Sequence, residues 1–358
     1  VTAERLSAQL LSGEPAPDVL GVVRRLTAVQ AQDPRGARLA IRARSSGVVV
    51  ADVDRALTVD RSLVVAWLNR GTLHLVRSED YFWLRALTAP PGAIPNARRL
   101  AQEGVSPEAA ELGVTVVARA LSSDGPLTRE QLRDRLAAAG VPTRGQALVH
   151  VLYLASLREG IVRGPMAGRE QAFVLARDWL GEPPPIERRA ALAELARRYL
   201  AGHGPADSGD LAKWAGLGLR EARLGLREIG PELDERPDGL VQLRAADRSP
   251  ALPPPRLLGA FDPLLLGWRS REPVTGSHQE LVTVNGLFRP FALIQGRAAG
   301  TWTLAGGDLT LRPFEPISPE DTAALQREAD DVGRFLGVPV RLRVEDPADG
   351  PPGRQLVR

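Results

Sequence analysis

Leu127-Thr128-Arg129-Glu130-Gln131-Leu132-Arg133-Asp134-Arg135-Leu136-Ala137-Ala138-Ala139-Gly140-Val141-Pro142-Thr143 reads as a helix with both ends written into it. Thr128 is an N-cap with Gln131 three residues on, the reciprocal pair of a capping box, and Gly140 stops the helix. Upstream, Pro107 to Leu121 has helical apolar spacing. Downstream, Thr143 caps a helix whose face is Leu148, Val151, Leu152, Ala155 and Leu157, ending at Gly160. Two helices joined by a short Gly-containing turn are a helix-turn-helix candidate. Ile161-Val162-Arg163 and Gln171 to Leu175, around a Gly/Pro-rich turn through Gly168, predict a hairpin. Three helices closed by a hairpin make a winged helix.

The same order recurs on both sides. On the C-terminal side, helices over 187–200, 208–215 and 219–229 precede a hairpin over 233–243 that turns at Asp238-Gly239. A looser copy spans 3–76, with helices over 2–11 and 17–32, more helix over 38–44 and 51–56, and a hairpin turning at Asn69-Arg70-Gly71. Repetition at about seventy residues predicts an array, and the absence of βαβ alternation argues against Rossmann and TIM architectures.

After Pro250, Pro253, Pro254 and Pro255 the texture turns to β. Strands at 282–284 and 287–289 flank the hairpin signal Asn285-Gly286, further strands follow at 291–295, 301–304 and 309–311, and helix 319–336 precedes a last strand at 340–344. The expected fold class is α+β, with three tandem winged-helix modules at 1–105, 106–182 and 183–248 and a β-rich domain at 256–358.

Composition narrows the chemistry. The 358 residues contain no cysteine and four scattered histidines, so thiolate zinc is excluded and no metal or cofactor is expected. No run of eighteen uncharged apolar residues occurs, and the first residues lack a basic-then-apolar pattern; both point to a cytoplasmic protein with no membrane partner. Lys213 is the only lysine. Net charge is +3, yet residues 1–100 carry 14 arginines against 9 acids while residues 301–358 carry 7 against 10, so an anionic partner should meet the N-terminal part. Serial winged helices point to nucleic acid, although such modules also serve as protein-binding units.

Walker loop, HExxH, nucleophile elbow and a strand-following GxGxxG are all missing. What stands out is Val29-Gln30-Ala31-Gln32-Asp33-Pro34-Arg35, with two glutamines flanking a small apolar residue at an expected helix end. Spacing alone is a weak signal that favours solvated helix-end glutamines. Together with Arg70-Gly71-Thr72-Leu73-His74-Leu75-Val76, Phe261 to Arg271 (FDPLLLGWRSR), Asn285-Gly286-Leu287-Phe288-Arg289-Pro290 and Gly300-Thr301-Trp302, the segment resembles the winged-helix DNA glycosylases of the AlkZ type, which repair alkylated DNA and unhook interstrand crosslinks.

That resemblance covers nearly the whole chain and implies a C-shaped clamp of three winged helices and a β-barrel. It also implies a catalytic Gln-x-Gln, matched by Gln30 and Gln32. Its implied partner is double-stranded DNA carrying alkylpurine adducts or interstrand crosslinks, bound by a monomer in the bacterial nucleoid. An amide is too weak a base to deprotonate water, so two glutamines suffice only for an already cationic leaving group such as an N7-alkylguanine.

Neighbouring residues each have two readings. Asp33 either assists the glutamines or terminates the helix before Pro34. Arg35, Arg38, Arg42 and Arg44 suit flanking phosphates or form a solvated helix face. Arg269 and Arg271 face DNA across the clamp or join a structural pair with Asp262, and His74 contacts DNA or sits in the core as a satisfied imidazole. A non-catalytic DNA-binding regulator is the alternative from another class, and an enzyme acting on a free toxin is a third.

Overall fold

The computed structural model describes residues 2–168, 170–244, 250–283 and 285–347. The chain is a mixed α+β protein. Helices Pro107–Asp124, Arg129–Ala138 and Ala147–Glu159 precede strands β4 (Ile161–Ala167) and β5 (Glu170–Leu175), while β1 (Val29–Gln30), β2 (Leu63–Trp67) and β3 (Leu73–Arg77) come from the first segment. Helices Arg188–His203, Ser208–Ala215 and Leu219–Glu228 precede β6 (Leu233–Glu235) and β7 (Val241–Leu243). The Thr128–Gln131 capping box forms, with Gln131 N–H donating to the Thr128 hydroxyl at 3.2 Å and Thr128 N–H to the Gln131 amide oxygen at 2.8 Å.

Hairpins from two segments merge into one sheet of order β1-β3-β2-β4-β5, joined where Val65 of β2 pairs with Arg163 of β4. The sheet thus crosses the sequence position 105/106. The expected helix through residue 32 stops at Leu26 instead. Thr27 takes a left-handed φ of 65°, and Val29 and Gln30 run antiparallel to β3, opposite Leu75 and His74. Here an unpaired edge of β3 outcompetes the helical periodicity of the local sequence.

C-terminal strands β8 (Arg256–Leu258), β9 (Phe291–Ile294), β10 (Arg297–Ala305), β11 (Asp308–Pro313) and β12 (Arg341–Val344) form a sheet of order β12-β11-β10-β9-β8. This corrects the expected barrel: the sheet is open, with β8 and β12 as its edges. Its β8 edge is closed by side chains. Leu257 N–H donates to the Glu328 carboxylate at 3.0 Å, and the Leu257 carbonyl accepts from Arg42 at 2.7 Å. With its backbone groups satisfied in this way, β8 recruits no further strand. The Asn285-Gly286 turn is a short excursion with one bridge, Val282 to Phe288; Val284 of the expected strand lies outside the described residues.

A fully buried ion pair ties the C-terminal part to the first helices. Arg44 donates to both carboxylate oxygens of Asp262, at 2.9 and 2.7 Å, and also to the Gln9 amide oxygen and the Ala40 carbonyl. Among the described residues no helix is long and apolar enough to cross a membrane.

Candidate active site

The two glutamines lie in the connector between helices Val19–Leu26 and Pro34–Arg42. Alternation of an extended chain sends Val29 and Ala31 into the core, at 0% and 5% exposure, and leaves Gln30 and Gln32 to the other face. Ala31 N–H donates to the Leu73 carbonyl at 2.7 Å, which carries the strand pairing one residue beyond Gln30. Asp33 then ends the connector: its carboxylate accepts from Gly36 N–H at 2.7 Å with Pro34 in the first helical turn, so its observed contact is that of an N-cap.

Each glutamine is held by the same stretch of β-hairpin. Gln30 is nearly buried, and its amide oxygen accepts from the Arg70 guanidinium at 3.2 Å. Gln32 is exposed, and its oxygen accepts from Leu73 N–H at 3.1 Å. Each oxygen therefore keeps one lone pair, and among the described residues neither amide nitrogen donates within the protein. The pair is fixed in orientation while retaining both an acceptor and donors for a water or a substrate.

Arg70 is placed by its backbone. It adopts a left-handed φ of 57° in the short turn before Gly71, and its guanidinium also donates to the Trp214 carbonyl at the end of helix Ser208–Ala215. Burial, with a smaller push from Arg271, lowers its pKa to about 10, so it stays charged at neutral pH. His74 lies beside Gln30 across the β1–β3 pairing and is 2% exposed. Its Nδ1–H donates to the Thr72 carbonyl at 3.0 Å, and burial, then Arg70, depress its pKa to about 3. His74 is a neutral, buried imidazole that buttresses the strand.

The arginines expected to meet phosphates divide sharply. Arg42 and Arg44 are corrections: Arg42 is buried against Glu328 and Asp331, both at 2.9 Å, and Arg44 against Asp262, because helix Pro34–Arg42 turns that face to the C-terminal sheet. Arg38 pairs with Asp54. Arg269 pairs with Asp207 and Asp210 while remaining about half exposed, in place of the anticipated pairing with Asp262. Arg35 is exposed, and among the described residues its one hydrogen bond is to the Leu304 carbonyl at 3.5 Å. Arg271 is exposed, donates to the Leu265 carbonyl at 2.9 Å and lies 4.8 Å from the Phe288 ring. Arg70, which ties Gln30 to the end of helix Ser208–Ala215, was visible in sequence as part of a turn and of a family-like segment, but with no role of its own. Among the described residues no group of three histidines or carboxylates is placed to hold a metal.

Comparison with known proteins covers both glutamines and Arg70. The model of a family described as DNA glycosylase AlkZ-like matches residues 23–335. An interstrand DNA cross-link repair glycosylase of Streptomyces sahachiroi is 29% identical over 369 residues, spanning 96% of this chain and 98% of that protein. The solved structure of the DNA glycosylase AlkZ of the same organism superposes with a TM-score of 0.80 at 27% identity, covering 96% of this chain and 98% of that one.

Proposed function

The chain belongs to the AlkZ-like family of DNA glycosylases, and from that premise we propose that it hydrolyses the N-glycosidic bond of bulky or crosslinked alkylpurines of the N7-alkylguanine type, with Gln30 and Gln32 placing the attacking water. One observation carries the assignment of the pair: both amide oxygens are held by a single segment, Arg70 to Leu73, on residues that strand alternation puts on one side of the connector.

In the reaction the C1′–N9 bond breaks as its electrons neutralise the cationic base, water oxygen bonds to C1′, and the released proton passes to solvent. Amide oxygens hold the water and set their dipoles toward charge developing on the sugar, which favours the transition state over the ground state. Neutral amides supply no strong base, so the substrate must bring its own activation. Lys213, the sole lysine, is exposed on helix Ser208–Ala215, and the two glutamines bring no amine of their own for a Schiff base. The enzyme is monofunctional and leaves an abasic site.

On this reading the segments 1–105, 106–182 and 183–248 act as winged-helix modules that, with residues 256–358, clasp duplex DNA as a C-shaped clamp. The protein works as a monomer at the bacterial nucleoid. An open clamp admits crosslinked bases, which cannot be flipped fully out of the duplex. Unhooking such lesions suits self-protection in a producer of a DNA-alkylating compound. The test is a duplex carrying a defined N7-guanine interstrand crosslink, resolved on a denaturing gel. Conversion to single strands that break only after alkali supports the proposal, and an unchanged crosslink after exhaustive incubation refutes it.

A further inference from the structure

Arg70 does more than orient Gln30, because its other side forms the wall of a separate cavity of about 350 Å³. The floor is aromatic, with Trp67 and Tyr153 ring centroids 5.9 Å apart. Around it stand Arg99, Asn96 and His150, the last two joined by a 2.8 Å hydrogen bond. No carboxylate lines this cavity among the described residues. The Tyr153 hydroxyl is buried and among the described residues meets no hydrogen-bond partner, lying over the backbones of Gly71 and Gly92; a methyl group at Gly71 would come within 2.7 Å of it.

Such a lining selects its occupant. Two guanidinium groups repel a cationic purine, whereas a flat neutral ring can lie on the aromatic floor and present acceptor oxygens to Arg70, Arg99 and the idle Tyr153 hydroxyl. A buried hydroxyl without a partner is a standing cost that such an acceptor would remove. We propose that this cavity is a subsite for the aromatic, acceptor-bearing substituent of a bulky adduct, separate from the place where the purine itself reacts. The inference rests on the glycosylase reading and adds to it the part of the substrate that confers preference for large lesions.

The experiment compares wild-type protein with Val149→Trp, which places an indole into the cavity from a half-exposed position on helix Ala147–Glu159, and with Tyr153→Phe. Substrates are a duplex with N7-methylguanine and a duplex with N7-guanine bearing an aryl ester substituent. Filling the subsite should lower excision of the aryl adduct by about tenfold, the scale of a lost pocket contact, and leave N7-methylguanine within about twofold. Tyr153→Phe should show the same selectivity more weakly. Equal rates for both substrates in folded Val149→Trp, or a parallel fall in both, overturn the subsite while wild-type excision keeps the glycosylase reading intact. Should wild-type protein excise neither base, the glycosylase reading fails by itself. Saturation-transfer NMR with a free aryl ester, methyl benzoate, then decides the subsite, with binding abolished by Val149→Trp supporting it and absent or unaltered binding overturning it.

Discussion

The guanidinium of Arg70 donates to the side-chain oxygen of Gln30 at 3.2 Å, from a residue forty positions along the chain and within the β2–β3 turn. This contact, with Leu73 N–H to Gln32, sets both amides before any substrate arrives. If the proposed pair is catalytic, preorganisation of this kind spares the reaction the cost of orienting dipoles as charge develops.

Replacing Arg70 should therefore cost rate more than affinity. Arg70→Ala frees the Gln30 amide and should lower single-turnover excision by on the order of tenfold to a hundredfold, the scale of a small misplacement of catalytic groups. Arg70→Lys, which lacks the planar fork that reaches Gln30 and the Trp214 carbonyl together, should recover only part of that loss. Measured excision rates at saturating DNA, with circular dichroism to confirm folding, check both.

Two buried histidines make the protein acid-sensitive. Burial holds His74 and His203 neutral, with pKa values of about 3 against an ordinary value of 6.5. The unfolded chain binds more protons between those limits, so stability is fully present above about pH 6.5 and is lost as pH falls toward 3. Lowering pH from 7 to 5 should cost about 2 kcal/mol for each histidine, read as a falling urea midpoint. The same titration predicts no histidine step in excision rate between pH 6 and 8, which a pH–rate profile tests.

Arg44→Ala should act on stability. It strands the fully buried Asp262 carboxylate, and breaking such a pair typically costs about 3–5 kcal/mol. The salt dependence of DNA binding in the surviving folded protein should be unaltered, because no phosphate can reach position 44. Exposed Arg35 is the contrast: Arg35→Ala should leave stability unchanged and reduce the slope of log affinity against log salt by about one phosphate contact.

Several helices were legible because their ends announce themselves chemically, as Thr128 with Gln131 and Gly160 do. The candidate site was legible only as a pair of residue types. Its geometry was hidden because Val29 and Gln30 obey a partner strand more than forty residues away, and periodicity within 17–32 carries no trace of that pairing. The arginines misled for a related reason. A guanidinium's sequence neighbours do not tell whether Glu328 or Asp262, more than two hundred residues distant, will neutralise it. The open edge at β8 was equally invisible, since it depends on side chains from two other segments capping one residue, Leu257.

Absence of a lyase step is testable with sodium borohydride. Wild-type protein incubated with damaged duplex and borohydride should yield no covalent protein–DNA species, and Lys213→Arg should excise at the wild-type rate.

The most direct measurement is single-turnover excision of N7-methylguanine from a duplex by wild-type protein and by Gln30→Ala/Gln32→Ala, scored as alkali-labile abasic sites, with DNA affinity measured in parallel. The account predicts a loss of at least about a hundredfold in rate with affinity and melting temperature nearly unchanged. A folded double variant that excises at the wild-type rate would contradict it, and would move the chemistry away from these glutamines.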